Sequence, residues 1–181
     1  MRHLTPADYR SMPWANGKGT TVEMLRVDRD GAMLWRLSMA TVAEDGPFSL
    51  FSRVDRNLTV IDGPGFWLKG EGVDLHCAPL VPCAFAGDVA VQAVGTGGQV
   101  SVDFNVMTAR SLPRPSVTVL PSGGPIAAGG MLAILSLGVA QINGRDVGRH
   151  DLILTDAAAQ ITAVGPVIVV RFNGLGPLDH M

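Results

Sequence analysis

Two segments carry polar side chains at every second position, the spacing that places side chains on one face of a β-strand. In the segment SVDFNVM, Asp103 and Asn105 alternate with apolar residues. In the segment WRLSMA, Arg36 and Ser38 alternate with them in the same way. Solvent-facing strands favour Lys, Glu and Thr, whereas short or forked polar groups fix small polar ligands. Because an arginine fork grips a carboxylate through two hydrogen bonds, these segments predict a site for a small carboxylate.

The same residues allow two other interpretations. Arg36 and Asp103 could form an ion pair with a purely structural role, because such pairs also occur away from functional sites. Alternatively, Asp103 could be the general base of a metal-independent isomerase or hydrolase. A base must reach the abstracted proton directly or through one water, so this role requires Asp103 to be free of Arg36.

The composition favours short strands joined by turns. Of the 181 residues, 47% are apolar and 17% charged, with 22 glycines and 12 prolines. This is too apolar for disorder and too rich in helix breakers for a helical bundle. Runs of alternating apolar residues bounded by turn residues recur along the chain, which predicts an all-β fold. The clearest runs are 34–40, 57–61, 66–69, 89–94, 100–107, 132–137, 152–155 and 166–172.

Charge and hydropathy disfavour several classes of partner. The formal net charge is −2, and the two lysines and twelve arginines are scattered, so a nucleic-acid-binding surface is not expected. The segment MRHLTPADYR lacks the apolar centre of a signal peptide, and no apolar run reaches the roughly 18 residues of a membrane span. We therefore expect a cytoplasmic protein without membrane association.

The histidines and cysteines do not suggest a metal site or another cofactor. Cys77 and Cys83, with His76 beside them, lack the paired ligand spacing of zinc sites, and we expect both cysteines to be thiols. The histidines are far apart in the sequence and close to turns or termini, at His3, His76, His150 and His180.

Sequence similarity between two segments of the chain predicts an internal duplication. Residues 91–105 align without a gap on residues 159–173, with matching glutamine, glycine, valine, phenylalanine and asparagine positions. Prolines and glycines interrupt the pattern over 111–130, which marks the boundary. We predict a first barrel over 1–112 and a shorter second barrel over 113–181, because closure would leave few unpaired strand edges.

Two further segments, 12–21 and 45–56, mix aromatic with polar residues and carry turn signals. Loops at a barrel mouth often bear binding residues. Surface turns with one buried aromatic residue each would give the same pattern.

At these residues the chain resembles the HutD/Ves family of bacterial proteins. The shared motifs are PWANGKGTT, WRLSMATVAEDGPFSLFSRVDR, LTVIDG, PCAFAGD and VDFNVM, in the same order over about the first 110 residues. The chain departs from the family pattern at Ala15 and Lys18. The resemblance implies a cupin-type, RmlC-like jelly-roll barrel, with two such barrels in one compact unit, a bicupin. Cupin metalloenzymes use an H-x-H pair that this sequence lacks.

The resemblance also implies a function. Family members are associated with histidine utilisation and are thought to bind a small metabolite such as formylglutamate or urocanate, without an established catalytic activity. An interaction module for a protein partner or a homodimer is a further alternative, with 111–130 and the barrel edges as contacts. The motifs place the ligand-binding residues at Trp14, Asn16, Gly17, Arg36, Ser38, Phe48, Ser49, Arg56, Asp103 and Asn105.

Overall fold

The computed structural model describes residues 1–14 and 19–174. In these residues the protein is all-β, with one short 3-10 turn at Pro6–Asp8 and no α-helix. This part of the chain also has no helix with the length and apolarity needed to cross a membrane.

The strands follow one another through short turns. The first eleven are β1 (Arg2–Leu4), β2 (Arg10–Pro13), β3 (Thr20–Arg29), β4 (Ala32–Val42), β5 (Gly46–Pro47), β6 (Val54–Asp62), β7 (Phe66–Gly70), β8 (Val73–Cys77), β9 (Cys83–Ala86), β10 (Val91–Val94) and β11 (Ser101–Ala109). The remaining eight are β12 (Ser116–Leu120), β13 (Gly123–Ile126), β14 (Met131–Ser136), β15 (Val139–Ile142), β16 (Arg145–Val147), β17 (Leu152–Thr155), β18 (Ala159–Val164) and β19 (Val167–Phe172). Each of the eight predicted runs overlaps a strand, and four of them extend one or two residues beyond it.

The chain divides into two compact units, residues 10–111 and residues 1–9 with 112–181. Residues 1–9 fall within the predicted first barrel, 1–112. In the structure β1 pairs antiparallel with β17, and the first residues therefore belong with the other unit.

The unit of residues 10–111 is a sandwich of two antiparallel sheets. One sheet has the strand order β2-β3-β4-β11-β6-β9 and the other has the order β5-β10-β7-β8. Alternate side chains of both sheets form a single apolar cluster, as expected where each sheet has one buried face. The cluster includes Val42, Leu58, Val60, Phe66, Leu68, Cys77 and Val91.

The other unit repeats this arrangement. Its sheets have the orders β1-β17-β14-β19-β12 and β13-β18-β15-β16. The run β4-β11-β6-β9 corresponds to β12-β19-β14-β17, and β5-β10-β7-β8 corresponds to β13-β18-β15-β16. The similar segments 91–105 and 159–173 therefore fall on strands at corresponding places in the two strand orders.

The expectation of closed barrels is not confirmed, because each of the four sheets has two distinct edge strands within the described residues. Several edge strands of these open sheets are short. A short edge strand has few unpaired backbone groups with which another chain could pair. The edge strands β1, β5 and β16 have three, two and three residues.

Strand register places the polar positions of the sequence side by side. β11 lies between β4 and β6, and Asn105 pairs with Ser38 on β4. Two residues further along, Met107 pairs with Arg36 on one side and with Arg56 on the other. The two arginines therefore flank the same position of the central strand, on the face that the apolar cluster shares.

The turn between β6 and β7 generates a stability prediction. A Cβ atom at Gly63 would overlap the carbonyl oxygen of Val100, and the backbone φ of Gly63 is +83°. We expect Gly63→Ala to lower the free energy of unfolding by roughly 3 kcal/mol or more, measured by urea denaturation. Gly72→Ala is the matched control, because its φ is +69° with nothing within 4 Å, leaving only a backbone cost of about 1–2 kcal/mol. Equal losses in the two variants would contradict the steric explanation.

Candidate functional site

A cavity of about 420 Å³ opens in the unit of residues 10–111. It has a polar floor from the central strands and walls that are mainly aromatic, proline and methionine side chains. Its lining residues are Met12, Pro13, Trp14, Thr21, Arg36, Ser38, Ala40, Pro47, Phe48, Ser49, Phe51, Arg56, Asn105 and Met107. Its volume falls within the range of roughly 300–1,000 Å³ that is usual for small-molecule sites.

Arg56 is the most unusual side chain of the cavity. It is only 5% exposed, and its guanidinium lies over the rings of Phe48, Phe51 and Phe85, at 5.3, 5.4 and 4.9 Å from their centres. Such cation–π contacts replace part of the lost hydration. Burial lowers the pKa of Arg56 to about 10, so it is still a cation at neutral pH.

The hydrogen bonds of Arg56 leave part of the guanidinium unused. Its Nη1 donates to the Ser49 carbonyl at 3.3 Å and its Nη2 donates to Asn105 Oδ1 at 2.8 Å. Its buried Nε has no hydrogen-bond partner among the described residues. No salt bridge in that part of the chain joins Arg56 to a carboxylate. A buried cation in this condition favours binding of an anion.

A carboxyl group lies behind the cavity floor. Asn105 donates through Nδ2 to Asp103 Oδ1, so Arg56, Asn105 and Asp103 form one hydrogen-bonded chain. Asp103 is fully buried and is not a cavity-lining residue. Burial raises the pKa of Asp103 to about 7, against the opposing effect of the Arg56 charge.

Arg36 forms its ion pair with Glu23 and not with Asp103. Its Nε donates to Glu23 Oε2 at 2.6 Å, and the Arg36 and Glu23 side chains are only 10% and 17% exposed. The alternative of an Arg36–Asp103 ion pair is therefore wrong. The reason is local, because Glu23 on β3 pairs directly with Ser38 on β4, and this brings its carboxylate beside Arg36.

Two loops build the cavity walls. Asp45 accepts hydrogen bonds from the backbone N–H groups of Gly95 and Thr96 and from the Thr96 hydroxyl, at 3.1, 2.9 and 2.6 Å. These bonds, above all those from Thr96, lower the pKa of the Asp45 carboxyl and anchor the segment that carries Phe48. On the other side, Trp14 Nε1 donates to Thr21 Oγ1 at 2.8 Å.

A smaller cavity of about 150 Å³ adjoins this wall. The two cavities share Trp14, Pro47 and Phe48 in their linings. These side chains form the partition between the cavities.

The structure brings most of the predicted site residues together. Seven of them line the cavity, namely Trp14, Arg36, Ser38, Phe48, Ser49, Arg56 and Asn105. Asp103 lies behind it, and Asn16 and Gly17 fall outside the described residues. The residues that were not predicted are Met12, Pro13, Thr21, Glu23, Ala40, Pro47, Phe51 and Met107. Strand parity places Ala40 and Met107 on the same faces as Ser38 and Asn105, two residues further along each strand.

Cys77 and Cys83 are buried free thiols in the apolar cluster. His76 stacks on Trp67 with ring centres 4.7 Å apart. In the described part of the chain, no group of three or more histidine, cysteine, aspartate or glutamate residues is arranged to hold a metal ion.

The corresponding face of the other unit carries several branched aliphatic side chains. The strand β19, which matches β11, contributes Val167 and Val169 to an apolar cluster with Leu132 and Ile134 of β14. Arg171 lies on the same face and donates to the backbone carbonyls of Ala127 and Gly129.

The fold is similar to that of a cupin protein. The Cupin 2 conserved barrel domain protein from Leptotrichia buccalis matches with a TM-score of 0.50 over 86% of this chain and 89% of that one, at 8% identity. This likeness concerns the fold alone. The fold and the cavity together define an all-β protein with a cupin-like fold and a cavity with a polar floor in the unit of residues 10–111.

Sequence comparisons specify the family. The HutD family model matches residues 6–166. Protein Ves from Cronobacter sakazakii is 34% identical over 170 residues, 85% of this chain and 93% of that protein. The structure of HutD from Pseudomonas fluorescens, from a formate condition, matches with a TM-score of 0.85 at 28% identity, covering 97% of this chain and 99% of that one. The chain belongs to the HutD family, and the resemblance seen in its motifs is confirmed.

The pKa of Asp103 generates a prediction about stability. The folded-state pKa of about 7 lies above the ordinary value of 3.8, so the unfolded chain loses this proton first as the pH rises. This group therefore lowers the free energy of unfolding between about pH 4 and pH 7. We expect Asp103→Asn to gain roughly 2–3 kcal/mol over wild type between about pH 5 and pH 8, measured by urea denaturation.

Asp74→Asn is the control for this measurement, because Asp74 is an exposed residue paired with Lys69. It should show the same difference from wild type at both pH values. An Asp103→Asn variant with an unchanged pH dependence would contradict a raised pKa at this position.

Proposed function

We propose that the protein is a non-enzymatic binder of one small carboxylate metabolite. The observation that carries this proposal is the buried Arg56 guanidinium, which lines the cavity without a salt bridge to a carboxylate in the described chain. A charge removed from water is costly unless it is paired, and a ligand carboxylate would supply the missing partner.

Charge pairing favours Arg56 over Arg36 as the carboxylate-binding residue. Glu23 already forms a salt bridge with Arg36 at 2.6 Å, whereas Arg56 has no direct salt bridge among the described residues. Ser38 and Asn105 line the same floor and can hydrogen-bond to the ligand. The aromatic walls would cover its less polar portion.

The family suggests where such a ligand comes from. We infer a cytoplasmic protein that modulates histidine utilisation by binding formylglutamate or urocanate, both of which carry carboxylates. The formate condition of the Pseudomonas fluorescens HutD structure makes formate, the smallest carboxylate, a suitable probe. Binding is favoured over catalysis because Asp103, the candidate base, lies behind the cavity-lining Asn105 and is fully buried.

A thermal-shift screen tests the proposal. Purified protein is heated with formate, urocanate, formylglutamate, glutamate or histidine, because a ligand that binds only the folded state raises the melting temperature. At a concentration of about 100 times Kd the stabilisation is about 2.7 kcal/mol, a shift of several degrees. We expect at least one carboxylate to give such a shift and Arg56→Gln to abolish it.

Arg110→Gln is the matched control for Arg56→Gln. Arg110 follows β11 and forms exposed ion pairs with Asp55 and Asp88, away from the cavity lining. This variant should retain the ligand-induced shift. The proposal fails if no carboxylate stabilises the wild-type protein, or if Arg56→Gln responds as wild type does.

The Glu23–Arg36 pair generates a separate prediction about ligand charge. Glu23→Gln removes the partner of Arg36 and leaves two cations at the cavity without a direct salt bridge among the described residues. We expect affinity for the dicarboxylate formylglutamate to rise about tenfold relative to that for formate, equivalent to about 1.4 kcal/mol. Isothermal titration calorimetry with both ligands measures this ratio. An unchanged ratio would show that Glu23 does not limit the charge of the ligand.

A further inference from the structure

Asp103 is the carboxyl group that Arg56 reaches in the absence of a ligand, through one intervening side chain. The Arg56 guanidinium donates to Asn105 Oδ1 at 2.8 Å, and the Asn105 amide donates to Asp103 Oδ1. The relay has a fixed direction, because an ionised carboxylate only accepts hydrogen bonds and a guanidinium only donates them. Asn105 is therefore oriented by the charges on both sides.

The position of Asp103 is a poor one for a permanent charge. The residue has no exposed surface, and its Oδ2 has no hydrogen-bond partner among the described residues. Its cross-strand neighbours are Ala40 on β4 and Val60 on β6, neither of which can hydrogen-bond through its side chain. The Arg56 charge is the main favourable interaction of an ionised Asp103.

We propose that Asp103 is a positioning residue that takes up one proton when a carboxylate binds to Arg56. This inference rests on the proposed function and adds its regulation by pH. In the empty cavity, ionised Asp103 balances Arg56 through Asn105. A bound carboxylate takes over as the counter-ion, and Asp103 accepts a proton from the buffer. The ligand anion and the proton enter together, so the net charge of the site does not change.

The pKa values are consistent with this exchange. Burial raises the pKa of Asp103 to about 7 even with the Arg56 charge nearby. A ligand anion beside Arg56 offsets that charge and repels an ionised Asp103, so the pKa must rise further on binding. Carboxylate affinity should therefore be constant below about pH 7 and fall by up to about tenfold per pH unit above it.

Other titratable groups around Asp103 must be separated from it experimentally. Arg36 is paired with Glu23. On the facing sheet, the hydrogen bond with Cys83 and burial raise the pKa of the Cys77 thiol. The Asp103 charge adds a smaller effect in the same direction. The hydrogen bond from Cys77 lowers the pKa of the Cys83 thiol. Cys83→Ala removes this second titrating group and serves as the control.

The experiment counts protons during formate binding. Formate is the probe because it stays fully ionised near neutral pH, so any proton taken up belongs to the protein. Calorimetric titrations at about pH 6 and about pH 8, in buffers of different ionisation enthalpy, give the number of protons per formate bound. We expect uptake near zero at the lower pH and between about half and one proton at the higher pH.

The variants determine which residue takes up the proton. Asp103→Asn should bind formate with no proton uptake and with an affinity that does not change with pH, whereas Cys83→Ala should behave as wild type does. Formate binding by wild type without uptake at about pH 8, or with uptake retained in Asp103→Asn, would overturn this inference alone. Absence of formate binding to wild type would overturn it together with the proposed function. If Asp103→Asn does not fold, the wild-type buffer series still decides.

Discussion

The burial of one guanidinium group governs the architecture of this site. Removing a charge from water is costly, and Arg56 is stabilised by three phenylalanine rings, one backbone carbonyl and one side-chain amide. These groups come from β9, β11 and the segment after β5, and Arg56 itself is on β6, so the strands must keep their register for the cation to be tolerated. This set of partners leaves the Nε of Arg56 without a hydrogen-bond partner among the described residues.

The two units show how one strand order supports two kinds of interior. In the two units, the corresponding strands β11 and β19 are both internal strands of a sheet. Each has one face toward an apolar cluster. In β19 that face carries Val167 and Val169 of the apolar cluster, with Arg171 two residues further along. In β11 it carries Asp103 and Asn105, and Asn105 lines the cavity. Topology alone therefore does not specify a binding site, which depends on a few polar residues at fixed register positions.

The alternation of side chains along single strands was sufficient to predict residues of the cavity floor. It did not predict how the charged groups are paired or buried. Arg36, Ser38 and Asn105 followed from alternation within single strands, because a side chain's face depends only on local geometry. Glu23 was missed because the pairing of β3 with β4 shifts between Glu23 and Leu25, and this bulge breaks the alternation that identifies a strand. The depth of Asp103 was also not predictable, since it depends on pairing with β6, more than 40 residues earlier in the chain.

The different positions of the two acidic residues bear on the proposal of binding rather than turnover. Glu23 is partly exposed and pairs with Arg36, so under the proposed function it limits how many anionic groups a ligand presents. Asp103 is sealed, and a proton can reach it only when the surrounding strands or Asn105 open transiently. Such opening is compatible with a single proton exchange during ligand binding. A general base in steady turnover must exchange its proton in every cycle, and for that a carboxyl group in contact with the cavity would be far better placed.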